Sequence, residues 1–208
     1  MMVQATLVTD GTSDVVLIRI LSWLVARLTT VEVEIRWADF RFLSRRPEGL
    51  AQRLDSATQL YPCDILFVHR DAEKQDSELR YNEIQNANKT GTGHVCIVPV
   101  RMQEAWLLHD EQALREAAGR PSGTNPLDLP PASKWEKLPD PKETLHSALR
   151  AASGATGRRA KSFKPERAAH RLADLVEDWS PIRTLSAFVR LEADTRTGLQ
   201  SLGIPLIG

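Results

Sequence analysis

Acidic residues follow two apolar runs of the sequence at the point where each run ends. Asp10 and Asp14 lie in an Asp-Gly-Thr-Ser-Asp segment after the first run, and Asp71 and Glu73 lie in a His-Arg-Asp-Ala-Glu segment after a later one. In a parallel α/β sheet, ligands bind outside the carboxyl ends of the strands. If the two runs are neighbouring strands, we expect these four carboxylates to converge at one edge of the sheet.

Converging carboxylates indicate a metal site. They repel each other unless a cation neutralises them, and hard divalent cations prefer oxygen ligands. Asp71 and Glu73 are separated by one residue, which in an extended segment points both side chains to one side. Gly11 permits a tight turn at the strand end and leaves room for a phosphate. The pattern therefore predicts a site for Mg²⁺ (or Mn²⁺).

Each acidic segment also has an ordinary structural interpretation. Asp-Gly after a strand is a common turn, and Ser13 and Asp14 are typical helix-capping and first-turn residues. A single acid after a strand is commonly a solvated position. The two segments together, at matching strand ends, favour the functional interpretation.

The elements that position these acids follow the pattern of βαβ units. Over the first hundred residues, apolar runs at 5–9, 31–40, 65–68 and 95–98 alternate with segments of helical spacing. This pattern is typical of a mainly parallel sheet flanked by helices. The run 31–40 alternates apolar and polar residues and predicts a strand towards an edge. The run 65–68 is continuously apolar and predicts a central strand.

The second half of the chain predicts a change of architecture. Helical spacing over 104–118 is closed by Gly119, and 120–141 is rich in Pro, Ser and Asn. Further helical spacing is found at 145–152, 168–179 and 185–202. We therefore expect an α/β metal-binding domain over 1–119 and a helical C-terminal region over 120–208, packed on it.

Composition limits the compartment and the partners. Lys plus Arg and Asp plus Glu are 27 each, so the chain as a whole gives no argument for a polyanionic partner. Cys63 and Cys96 lie in apolar runs that predict buried strands, which suggests a reducing compartment. The N-terminus lacks the pattern of a signal peptide, and the apolar stretch 15–28 is too short and too charged to span a bilayer. We expect a cytoplasmic protein without a membrane partner.

One local group of cations suggests contact with nucleic acid. Its members are Arg158, Arg159, Lys161 and Lys164, in a stretch with almost no acid. Such a group suits a phosphate backbone. It is also typical of a solvated surface, and Phe163 alone offers an aromatic ring for stacking.

Several segments resemble a known family. The first acidic segment resembles the Glu-Gly-x-Thr-Glu loop of Toprim domains, and the second resembles their Asp-x-Asp motif. The Glu-Ala-Trp-Leu segment at Glu104 and the Asp-Pro-Lys segment that ends at Lys142 resemble those of a bacterial Toprim-like family, domain-of-unknown-function family 4276. The resemblance covers most of the chain. It departs at Asp10, where Toprim enzymes usually carry Glu, and at Glu73, where they carry Asp.

The resemblance implies a metal-dependent nuclease related to the Toprim half of the overcoming-lysogenization-defect nucleases, acting in phage defence with an ATPase. Asp14, Asp71 and Glu73 would then hold the metals. Asp10 would serve as a ligand or a water-positioning base, and Glu104 as an outer ligand. Lys142 would stabilise charge on the phosphoryl group. The chain lacks a Gly-x-x-x-x-Gly-Lys-Ser/Thr loop, so the ATPase would be a separate subunit.

A second hypothesis is a Toprim-like adaptor or regulatory subunit of an ATPase complex, catalytically weak because of the departures at Asp10 and Glu73. A third, a phosphotransfer or phosphatase enzyme, is disfavoured. The first loop carries no Asp-x-Asp nucleophile pair.

Overall fold

Four parallel strands form a single sheet within residues 2–207, the part of the chain that the computed structural model describes. The strands are β1 Met2–Val8, β2 Glu32–Trp37, β3 Ile65–His69 and β4 Gly93–Ile97. Their order is β2-β1-β3-β4, and every pairing is parallel. The predicted α/β class is confirmed. The alternating strand lies at an edge and the continuously apolar strand lies inside the sheet, as their patterns indicate.

Helices connect the strands and make up most of the second half. They are α1 Leu17–Leu28, α2 Gly49–Leu60, α3 Ser77–Ala87, α4 Glu111–Ala117, α5 Pro141–Ser153, α6 Gly157–Ser162, α7 Pro165–Leu175 and α8 Ser186–Ser201. Short 3-10 helices occur at Ser13–Val16, Gln103–Leu107, Ala132–Lys137 and Ser180–Thr184. Within the described residues, no helix is both long and apolar enough to cross a membrane.

The described residues form two compact units. The first, the sheet unit, comprises the described parts of Met1–Pro99 and Ser186–Gly208, and the second, the helical unit, is Val100–Leu185. The predicted boundary after residue 119 differs from this division. Helix α8 belongs with the sheet because it packs on β4, while residues 100–119 belong with the other helices.

The sheet unit has helices on both faces of its sheet. On one face, Leu66 and Val68 of β3 pack in a buried cluster with Leu54 of α2 and Ile84 of α3. On the other face, α8 comes so close that a Cβ atom at Gly198 would contact Ile65 and Val95. Burial of both faces explains why the run 65–68 of β3 is continuously apolar.

The strand register brings the acidic segments together. Val8, the last residue of β1, is paired with Val68 near the end of β3. The loops that follow the two strands therefore leave the sheet side by side.

The helical unit departs from the helix predicted over 104–118. That segment is two helices, because Asp110 accepts a hydrogen bond from the backbone N–H of Ala113 at 2.9 Å and so begins α4. The predicted linker 120–141 includes the short helix that buries Trp135. Gly119 follows α4 with φ +82°, in keeping with its predicted terminating role.

The two cysteines differ in their surroundings. Cys96 is buried in β4, as predicted, and burial raises the pKa of its thiol to about 12. Cys63 precedes β3 and is half-buried, so the prediction that it lies in a buried strand is wrong. Both cysteines are free thiols.

Candidate functional site

All four acids predicted to converge line one cleft of about 290 Å³ at the carboxyl ends of β1 and β3. We call it the acidic cleft. Its lining consists of Asp10, Gly11, Ser13, Asp14, His69, Arg70, Asp71, Glu73 and Arg80. It therefore combines clustered carboxylates with guanidinium groups.

His69 lies between two of the acids. Its Nδ1 is 3.5 Å from Asp14 Oδ2 and its Nε2 is 3.2 Å from Asp71 Oδ1. The side chain is 2% exposed. Burial by itself would lower the pKa of His69, but the hydrogen bonds and charges of Asp14 and Asp71 raise that pKa to about 9. At neutral pH the imidazolium thus joins the two carboxylates.

Asp14 is fixed by its own loop. Its carboxylate accepts hydrogen bonds from the Gly11 backbone N–H at 3.0 Å and from the Ser13 hydroxyl at 2.8 Å. Burial opposes ionisation, but His69 and these two donors hold the pKa of Asp14 below its ordinary value. Ser13 is the first residue of the short helix Ser13–Val16 and Thr12 is its N-cap, so the predicted capping role of Ser13 is wrong. The hydroxyl orients Asp14 instead.

Asp10 contacts two arginines. Arg53 Nη1 donates to Asp10 Oδ1 at 2.7 Å, and Arg70 Nη1 donates to the same oxygen at 3.0 Å. Arg70 also pairs with Glu83 at 3.1 Å. The Asp10 side chain is 44% exposed, so each pair contributes about 0–1 kcal/mol and exchanges readily for another partner.

Asp71 and Glu73 reach the cleft differently from the sequence prediction. Glu73 has φ +55°, a left-handed backbone conformation, so the two residues do not share one extended segment. Such a conformation is uncommon outside glycine and often occurs at functional sites. Arg80 lies next to both, with Nε donating to the Asp71 carbonyl at 3.1 Å and Nη2 at 3.9 Å from Glu73.

The donors of the acidic cleft suit a hard divalent cation by type, because carboxylate oxygens are its preferred ligands. As the chain stands, however, no group of three or more His, Cys, Asp or Glu among residues 2–207 is arranged to hold a metal ion. The protein's own cations contact the acids instead: His69 at Asp14 and Asp71, and two arginines at Asp10. Metal binding would require some of these contacts to be exchanged.

The other predicted site residues belong to the helical unit. Glu104 is buried in the short helix Gln103–Leu107, which also contains Trp106, a core residue that is 1% exposed. Lys142 lies in the first turn of α5 and is half-buried. The four basic residues of the predicted nucleic-acid surface are exposed on and just after α6: Arg158, Arg159, Lys161 and Lys164.

Sequence reasoning missed Arg53 and Arg80 as site residues. Arg53 lies in the second turn of α2, and Arg80 lies in the first turn of α3. A helix that follows a parallel strand begins near the carboxyl edge of the sheet, where ligands bind. Cations in the first two turns of such helices were therefore a signal available in the sequence.

Comparison with protein-family models, with curated proteins and with solved structures gives no match. The resemblance of the loops to a Toprim-like family stays a prediction. The functional argument therefore rests on the acidic cleft.

Proposed function

We propose that the acidic cleft is the active site of a divalent-metal-dependent phosphodiesterase, an endonuclease that cleaves DNA or RNA. The observation that supports this most is the lining of one cleft by four carboxylates from two adjacent strand ends. Asp14, Asp71 and Glu73 would hold Mg²⁺ (or Mn²⁺), with Asp10 as a further ligand or a water-positioning base. The bound ions would activate water and stabilise the leaving oxygen.

The arginines of the acidic cleft could bind the phosphate of the substrate in this proposal. Guanidinium groups bind the oxygens of phosphates through charge-assisted hydrogen bonds. Arg70 and Arg80 lie in the cleft, and Arg53 reaches Asp10 at its rim. A phosphodiester that enters would take over arginine contacts that Asp10 now makes, which would release the Asp10 carboxylate for its proposed role.

His69 has a positioning role in this proposal. Its two ring nitrogens face Asp14 and Asp71, so one residue sets the separation of two proposed metal ligands. A buried imidazolium also offsets the repulsion between those carboxylates before a metal ion arrives.

The resemblance of the loops to a Toprim-like family supports a biological role for this activity. From that resemblance we propose that the chain acts in a bacterial defence-type system with a separate ATPase subunit. The sequence has no phosphate-binding loop of its own for ATP.

The second candidate is an adaptor or regulatory subunit of an ATPase complex with a weak catalytic site. Contacts of the protein's own cations with the acids, and the lack of an arranged metal-ligand group within residues 2–207, favour this candidate. An adaptor would keep those contacts when a divalent metal is added.

Cleavage assays separate the two candidates. Plasmid, single-stranded DNA and cellular RNA are incubated with the chain and Mg²⁺ or Mn²⁺, with and without a co-encoded ATPase. We expect the double variant Asp71→Ala plus Glu73→Ala to lose at least about 100-fold in rate, since metal ions supply several kcal/mol of transition-state stabilisation.

The matched control is Asp55→Ala plus Glu177→Ala, which removes two exposed acids that do not line the acidic cleft. It should cleave like the wild type. Calorimetry with Mn²⁺ tests metal binding separately. A folded wild-type chain that neither binds Mn²⁺ nor cleaves any substrate, even with the ATPase, would reject the nuclease and favour the adaptor.

A further inference from the structure

A second cleft of about 290 Å³ lies beside the acidic cleft, formed by the loops after β1 and β2 and by the start of α2. We call it the arginine cleft. Its lining consists of Thr9, Asp10, Gly11, Thr12, Trp37, Ala38, Asp39, Phe40, Arg41, Arg46, Pro47 and Arg53. Asp10 and Gly11 line both clefts, so the two are contiguous.

The arginine cleft carries an excess of positive charge. Asp39 pairs with Arg41 at 2.7 Å, and Asp10 pairs with Arg53 at 2.7 Å. Arg46 is exposed, and its charge acts on Asp39, whose hydrogen-bonded partner is Arg41. Three arginines and two carboxylates line the cleft, so one positive charge is in excess and can attract an anion.

The same cleft presents aromatic surface in a fixed orientation. The indole N–H of Trp37 donates to Thr9 Oγ1 at 3.0 Å, and the Arg41 guanidinium lies over the same ring, 5.2 Å from its centroid, so a base would stack there in place of Arg41. Phe40 is held edge-on to Tyr61, with ring centroids 6.4 Å apart. Aromatic rings beside arginines are the combination that binds bases and phosphates of single-stranded nucleic acid.

We propose that the arginine cleft binds one unpaired nucleotide of a single-stranded nucleic acid, next to the phosphodiester held in the acidic cleft. This inference rests on the proposed function and specifies its substrate. Trp37 and Phe40 would contact the base, and Arg46 would bind a phosphate. The volume lies near the lower end of the range for small-molecule sites, about 300–1,000 Å³, which suits one nucleotide rather than a duplex.

Binding of a short labelled oligothymidylate, measured by fluorescence anisotropy in a chelating buffer, tests the inference without catalysis. We expect Arg46→Ala to weaken binding about tenfold, because it removes a charge-assisted hydrogen bond to phosphate. Arg45→Ala is the matched control, because Arg45 is an exposed neighbour that does not line the cleft. The control should bind within about twofold of the wild type, since surface cations away from a site contribute little.

Trp37→Leu tests the stacking interaction. We expect about a tenfold loss of affinity, since stacking contributes about 1–3 kcal/mol per base. Circular dichroism confirms that this variant is folded. A blunt duplex of the same length should bind more weakly than the oligothymidylate. Equal affinities for duplex and single strand, or equal effects of Arg45→Ala and Arg46→Ala, would overturn the inference.

Failure of this inference can be told apart from failure of the proposed function. Asp71→Ala plus Glu73→Ala should bind the oligothymidylate at least as tightly as the wild type, because it removes negative charge beside the strand. Tight, Arg46-dependent binding by a chain that never cleaves would support the nucleotide site and reject the nuclease. Metal-dependent cleavage that is unchanged by Arg46→Ala would support the nuclease and reject the nucleotide site.

Discussion

His69 combines three properties at one position: a buried ring, two carboxylate neighbours and a place at the end of a central strand. Burying a histidine ordinarily favours its neutral form. Here the carboxylates of Asp14 and Asp71 outweigh that effect, so the folded protein binds a proton that the unfolded chain releases near neutrality. The interactions of this residue therefore contribute stability that depends on pH.

The direction of that dependence follows from the pKa. The pKa of His69 is about 9 in the folded protein and 6.5 in the reference state. The contribution is fully present below pH 6.5 and is lost as the pH rises to 9. We expect the stability of the wild type, relative to His69→Gln, to fall by up to about 3 kcal/mol across this window. Urea unfolding in chelating buffer at several pH values measures the difference.

His94→Gln provides the control for this titration. Burial lowers the pKa of His94, so that residue is neutral in both states above about pH 7. From about pH 7 to 9, the stability of His94→Gln should therefore change with pH as that of the wild type does. If the free energy of unfolding of His69→Gln also changes with pH as that of the wild type does, the result contradicts an imidazolium between the two acids.

At the scale of elements, the strand ends were the most predictable feature. Continuous apolarity at 65–68 identified an inner strand, and the alternating run at 31–40 identified an edge strand. Because parallel strands share their carboxyl edge, the convergence of Asp10 and Asp71 could be predicted without coordinates. The left-handed turn at Glu73 could not, since a single residue of that kind leaves no periodic pattern.

Interactions between distant segments were also hidden from the sequence. Helical spacing identified 185–202 as a helix, but it contains no information about which element the helix covers. The close approach of Gly198 in α8 to β3 and β4 assigns that helix to the sheet unit. The place of Arg53 near the start of α2 was a signal in the sequence, but its hydrogen bond with Asp10 was not, because that bond joins residues 43 positions apart.

The packing of α8 predicts the effect of adding a side chain at Gly198. A Cβ atom there would lie 2.7 Å from Ile65 Cδ1 and 3.1 Å from Val95 Cγ2. We expect Gly198→Val to lower the free energy of unfolding by about 1–3 kcal/mol, because overpacking outweighs the gain in helix propensity. Chemical denaturation measures the change.

Ala193→Val is the matched substitution on the same helix, because Ala193 is exposed. It should cost no more than about 0.7 kcal/mol, the propensity difference alone. Equal stabilities of the two variants would show that α8 does not pack closely on the sheet.

At the scale of the whole molecule, positive and negative charges balance at 27 each. A neutral protein has no long-range attraction for a polyanion, so any affinity for nucleic acid must come from local groups of cations. One such group lines the arginine cleft of the sheet unit, and the other lies on and just after α6 of the helical unit. The two groups can be separated by their effect on the salt dependence of binding.

Replacing Arg158, Arg159, Lys161 and Lys164 together by Ala measures the contribution of the second group. If these side chains bind phosphates, the variant should release fewer counterions on binding. The plot of log affinity against log salt concentration should then become shallower, by about 0.7 for each phosphate of the single strand that is no longer neutralised. Anisotropy titrations of the oligothymidylate at several KCl concentrations give the slope. The charge-matched control replaces four other exposed cations: Arg45, Lys89, Lys134 and Lys137. An equal slope in both quadruple variants would identify the α6 group as a solvated surface and leave the arginine cleft as the source of affinity. A decrease in the α6 variant alone would show that the α6 group binds phosphates.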